Sequence, residues 1–129
     1  MACPLFLPAS PIAGFAAEAM PLGDLYGGQC AADPEALIPV ERLRRCCNTG
    51  YARATCERAG QSDADALRFL VRAHRGETVE VAWAIERNHH PVAVGSIGIT
   101  GMPVPDRSPL ESQARACAAA FLRQIGAAA

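Results

Sequence analysis

Six cysteines stand at positions 3, 30, 46, 47, 56 and 117 of a 129-residue chain, and three of them fall within the eleven residues Cys46–Cys56. Thiolates are soft, charged ligands for zinc and for iron–sulfur clusters, and pairs of thiols can also close disulfides. Which chemistry applies depends on spacing. Cys3, Cys30, Cys47 and Cys56 are separated by 26, 16 and 8 residues. Structural zinc sites usually take close pairs from one tight turn, and the adjacent pair Cys46-Cys47 is poor chelating geometry. A cluster presents its irons at separate corners and accepts ligands arriving from distant positions. The expected set is therefore Cys3, Cys30, Cys47 and Cys56 on an iron–sulfur cluster, with [4Fe-4S] as the expected type, Cys46 as the alternative to Cys47 and zinc as the alternative metal.

The surroundings suit an anionic cluster. Arg42, Arg44, Arg45, Arg53 and Arg58 outnumber Glu41 and Glu57 in that segment. Gly27, Gly28 and Gly50 would let backbone N–H groups approach sulfur, which tunes a cluster's potential. Cys3-Pro4 resembles cluster-binding loops in which proline shapes the turn after a ligand. A centre with four protein ligands keeps no iron open, so electron transfer or redox sensing with a redox partner protein is expected rather than catalysis. The reading from a different class is a zinc-stabilised or metal-free protein-interaction module. Three disulfides would require export.

The remaining reactive side chains have plainer roles. Cys117 lies on the apolar stripe of an alanine-rich helix, where a free thiol packs as a small hydrophobe. His89 and His90 fall in a turn, and His74 near a helix C-terminus. Tyr26 and Tyr51 either shield the centre or pack in the core, and Trp83 packs in the core. No local signature marks a Cys–His nucleophile, and the glycines from Gly95 to Gly101 follow neither dinucleotide nor phosphate-loop spacing.

Composition sets the limits. Half the residues are hydrophobic but only 5% are aromatic, so the core is built from small side chains and a metal would add a cross-link it lacks. A net charge of −1 gives no basic excess for nucleic acid or an anionic membrane. All 12 basic residues are arginine, which reads as bacterial-like genomic base composition. Prolines 4, 8 and 11 interrupt any signal-peptide core, and no apolar run is long enough to span a membrane. The expected compartment is the cytoplasm, where thiols stay reduced.

The elements that must position these residues form an α+β fold in one domain, with a cysteine-rich half at 1–60 and a helix–hairpin–helix half at 61–129. Residues 1–33 read as irregular, with at most a helical turn around Phe15–Met20. A helix is expected from Pro39 to Asn48, stopped by Gly50. Ser62 and Asp65 suggest a capping box opening a helix to His74, with Leu67, Leu70, Val71 and His74 inward. Val79, Val81, Trp83 and Ile85 alternate as a strand, and a second runs from Pro91 to Thr100 with a bulge at Gly95-Ser96. Ser108-Pro109-Leu110-Glu111 opens a last helix to Ile125, with Leu110, Ala114, Cys117, Phe121 and Ile125 buried. The predicted antiparallel hairpin packs on two or three helices, and an added strand or a homodimer would complete its sheet.

Overall fold

The computed structural model describes residues 1–12, 20–53, 55–100 and 108–128. The described residues form a small α+β domain with two antiparallel sheets and two helices. Strands β1 (Phe6–Pro11) and β2 (Tyr26–Cys30) make a two-stranded ribbon, and β3 (Ala66–Arg75), β4 (Thr78–Arg87) and β5 (His90–Thr100) make a meander. A short helix α1 (Val40–Arg42) runs into a π-helical turn (Leu43–Cys47), and a 3₁₀ turn covers Glu57–Gln61. The long helix α2 (Pro109–Ala128) closes the fold. Among the described residues no helix is long and apolar enough to cross a membrane.

The β4–β5 hairpin forms as predicted and its alternation holds at Val79 and Val81, which are fully buried, whereas Trp83 and Ile85 are only half-buried and Glu86, expected outward, is buried. Its two-residue turn has positive φ at both Asn88 (51°) and His89 (65°), the twist that a tight hairpin requires. The bulge lies elsewhere than expected. Trp83 pairs with Gly95 and Ala82 with Ser96 without interruption, while the register shifts where Ile85 meets Ala93 and Glu86 meets Pro91. Val94 consequently stays on the outer face, 70% exposed. Gly95 is needed where it is, because a Cβ there would come within 2.4 Å of the Trp83 ring.

The segment predicted as a helix over 62–74 is instead mostly strand β3. Leu67, Leu70, Val71 and His74 satisfy a helical period, but Leu67, Phe69 and Val71 satisfy a period of two equally well. Pairing with β4 decides between them, with Leu67 opposite Ile85, Phe69 opposite Trp83 and Val71 opposite Val81. Gly76 has φ +58° in the turn that joins Arg75 to Thr78. The added strand expected to support the hairpin thus comes from the chain itself.

Residues 1–33 are likewise not wholly irregular. Pro8 and Pro11 lie in a short ribbon, where one bulge between Pro8 and Ser10 and only two strands leave few positions that must donate. Gly28 lets β1 approach, since a Cβ there would meet the Leu7 carbonyl at 2.0 Å. Of the turn expected around Phe15–Met20, residues 15–19 lie outside the described residues.

Helix α2 packs on both sheets. Ala114 and Ala118 meet Val79, Val81 and Ile99 of the meander, and Ala116 meets Phe6, Leu22, Leu25 and Tyr26 beside the ribbon. Alanine suits a helix with two covered flanks because its short side chain permits close approach on each. Burial therefore centres on residues 113–120, and the predicted stripe fails at Ile125, which is 37% exposed.

Candidate metal centre

Five of the six cysteines line one pocket. Cys3, Cys30, Cys46, Cys47 and Cys56 share it with Leu5, Phe6, Ile38, Ala59, Arg42 and Arg58. All five are buried free thiols. They arrive from four separate segments: the N-terminal loop, the end of β2, the π-helical turn and the residue before the 3₁₀ turn. Cys117 lies on α2 and is not part of the lining.

Backbone hydrogen bonds fix this convergence. The Cys3 N–H donates to the Cys47 carbonyl (3.0 Å), joining the N-terminal loop to the π-helical turn. Ala2 and Leu67 exchange two backbone bonds of 2.8 Å, which hold the loop on the edge of β3. Cys30 pairs with Phe6 across the ribbon, and the Ala31 N–H reaches the Leu5 carbonyl at 2.7 Å. The π-helical bond from the Asn48 N–H to the Leu43 carbonyl (2.9 Å) widens the turn that carries Cys46 and Cys47. Both thiols reach the pocket. Cys47 packs in the main core beside Cys3 and Phe6, whereas Cys46 packs with Ala52, Cys56 and Ala59. The Cys46 sulfur also lies 3.5 Å from the Thr55 hydroxyl.

Two residues that sequence reading passed over brace the site. Asn48 is fully buried and docks on the open side of β2. Its Oδ1 accepts from the Tyr26 N–H (3.0 Å), and its Nδ2 donates to the Tyr26 carbonyl (3.0 Å) and the Leu43 carbonyl (2.9 Å). The amide thus acts as a neighbouring strand's peptide group would, one residue beyond Cys47. Gln113, also fully buried, donates from Nε2 to the carbonyls of Cys3 (2.7 Å) and Phe6 (2.9 Å), tying α2 to the cysteine loop. Its Oε1 is buried with no partner among the described residues. A polar residue within the alanine-rich stripe was the available signal for Gln113; Asn48 carried none beyond its place after the cysteine pair.

The electrostatics are those of crowded thiols. Burial pushes the Cys3 thiol up to about 11, opposed by a backbone hydrogen bond from Leu5 and reinforced by Cys30, Cys56 and Cys46. Burial pushes Cys47 up to about 12, with Cys3, Cys30, Cys46 and Cys56 adding to it. A cation among the sulfurs would reverse this, since coordination deprotonates a thiol outright. Of the five arginines singled out, Arg42 and Arg58 line the pocket. Arg58 lies 3.4 Å from Asp33, and Arg42 has no ion pair among the described residues. Arg44 pairs with Glu41 and Arg53 with Asp65. The expected glycine contacts take another form. Gly28 serves the ribbon, and Gly50, with φ +73°, sits against Ala66 and Ala2, while the Leu5 N–H approaches Cys3.

The donor set and shell fit a thiolate-bound metal: five sulfurs, an otherwise apolar lining and two guanidinium groups. The size is restrictive. The enclosed space is about 10 Å³, no more than a single water needs. Among the described residues no three His, Cys, Asp or Glu side chains are grouped so as to hold a metal ion as they stand. Loading would therefore require the walls to part.

The aromatic candidates lie away from the pocket. The Tyr26 hydroxyl donates to the Ala116 carbonyl (2.8 Å) and accepts from Arg123 (2.7 Å). Tyr51 stacks on His89 with centroids 4.3 Å apart, so the β4–β5 turn is docked on the loop between Cys47 and Cys56. The Tyr51 hydroxyl donates to Glu86 (2.8 Å) and accepts from the His89 N–H (2.9 Å). Comparison with protein-family models, curated proteins and solved structures finds no match, so the chemistry of the five thiols carries the functional reading.

Proposed function

We propose that this chain is a small iron–sulfur protein, acting in electron transfer or redox sensing, whose centre is held by Cys3, Cys30, Cys56 and Cys47, with Cys46 as the alternative to Cys47. One observation carries the reading: five buried thiols from four chain segments line a single pocket whose only other polar side chains, among the described residues, are arginines. Bound there, a cluster supplies one-electron chemistry at a potential set by its charge, burial and hydrogen bonds to sulfur. Leu5 offers an N–H to the Cys3 sulfur. Arg42 and Arg58 favour the more negative, reduced state. Phe6, Ile38 and Leu5 exclude water. Four protein ligands leave no site for a substrate, so a partner protein exchanges the electron.

A single zinc ion held by four of the thiols is the second reading, and the small enclosed space of about 10 Å³ favours it. The protein would then be a zinc-stabilised interaction module. Purification without oxygen, followed by an absorption spectrum and iron, zinc and sulfide assays, separates the two. Brown protein with matched iron and sulfide is expected. Colourless protein with one zinc assigns the second reading, and colourless, metal-free protein overturns both.

A further inference from the structure

The two edges of the β3–β4–β5 meander are built differently. The β3 edge carries Arg68, Arg72 and Arg75, is bulged between Val71 and Ala73, and is partly covered by Ala2. Charges, bulges and covering segments are the usual devices by which a sheet edge is kept from pairing with another chain. The β5 edge has few of them. Its eleven residues include no Asp, Glu, Lys or Arg, and its proline and bulge are confined to the Pro91–Ala93 end. From Val94 to Thr100 its pairing with β4 is regular, and among the described residues no backbone hydrogen bond leaves its outer side. Val92 and Val94 beside it are 53% and 70% exposed.

We propose that β5 is a homodimerisation edge, pairing antiparallel with β5 of a second copy to make a continuous six-stranded sheet. The occupant is a second copy because the strand is compatible with itself. An antiparallel pair about a two-fold axis is isologous, and a strand without charged side chains brings no like charges together across it. Full-length self-pairing of His90–Thr100 centres on Gly95, where the absence of a side chain permits close approach. Val94 then lies diagonal to Val94 of the other copy, within reach on the outer face. The two exposed valines of each copy are covered by the same event that satisfies the edge peptides.

Sedimentation velocity of the 129-residue chain over a wide concentration range tests this, with metal-free and metal-loaded samples run side by side so that the result is independent of what the cysteines hold. The expected mass is twice the chain's 13.6 kDa, falling to one chain on dilution. Val94→Lys places like charges near the axis at an exposed position and should give a monomer whose thermal transition matches that of the unmodified protein diluted to one chain. Hydrogen exchange on the unmodified protein is the second measurement. Amides of β5 should be protected in concentrated samples and exchange faster on dilution. A chain that stays monomeric overturns the proposal. So does a dimer whose β5 amides gain no protection, which places the interface elsewhere. A monomer in which β5 is already protected overturns it too, and assigns the edge to another segment. If Val94→Lys fails to fold, the exchange comparison decides alone.

Discussion

Replacing Asn48 by alanine should loosen the centre without touching a thiol. The side chain makes three hydrogen bonds, to the Tyr26 N–H, the Tyr26 carbonyl and the Leu43 carbonyl. Leu43 would still receive the Asn48 backbone N–H, so its carbonyl stays paired. The two Tyr26 groups would be left buried without these partners. Each orphaned group costs about 1–3 kcal/mol, so the expected loss is about 4 kcal/mol. A chain of this length has a total stability of roughly 6–19 kcal/mol, and the loss is a large share of it. Urea unfolding of the reduced, metal-free protein gives the number directly, with an unchanged slope and a lower midpoint. Because Asn48 follows Cys47 and braces the π-helical turn, metal content of the variant should fall as well. A loss below about 1 kcal/mol would refute the bracing role, since at least one buried peptide group would then have found another partner.

Serine in place of Cys3, Cys30 or Cys56 should abolish stoichiometric metal, while Cys117→Ser should retain it, because Cys117 is outside the pocket; metal assay of each variant decides. Cys46→Ser and Cys47→Ser, assayed alongside, identify which adjacent thiol is the ligand. In metal-free native protein Cys3 and Cys47 should resist alkylation near pH 8, since thiols pushed up to about 11 and about 12 present little thiolate there. Peptide mapping after timed iodoacetamide exposure reads this out, and rapid native labelling of either would contradict their burial. Asp65 is held below the ordinary carboxylate range chiefly by the Asn88 N–H and then Arg53, and Glu86 chiefly by Arg68. Both ionise more readily folded than unfolded, so their stabilisation is present above the unfolded values of about 4 and is lost as pH falls further. Urea midpoints of the metal-free protein should therefore drop below about pH 4, and Glu86→Gln should flatten that drop.

Local chemistry made part of this molecule legible. The β4–β5 hairpin follows from strict alternation and a turn at 88–89, and α2 from a capping box before an alanine-rich run. The cysteine cluster could be anticipated because three of the six thiols fall within eleven residues. The pocket also includes both members of the adjacent pair, which a regular helix would point about 100° apart. The turn that carries both is π-helical, a departure that residue types do not announce.

What the amino-acid sequence determined by itself was whatever depends on neighbours in the chain: caps, turns, unambiguous periodicity and the inventory of thiols. Tertiary structure decided the rest because the local signals were balanced. Leu67–His74 fits two periods, and pairing with β4 selected the strand. The prolines of residues 1–33 hid a ribbon whose partner strand lies about twenty residues away. Asn48 and Gln113 acquired their roles only when long-range folding brought otherwise unpaired carbonyls within reach of their amides.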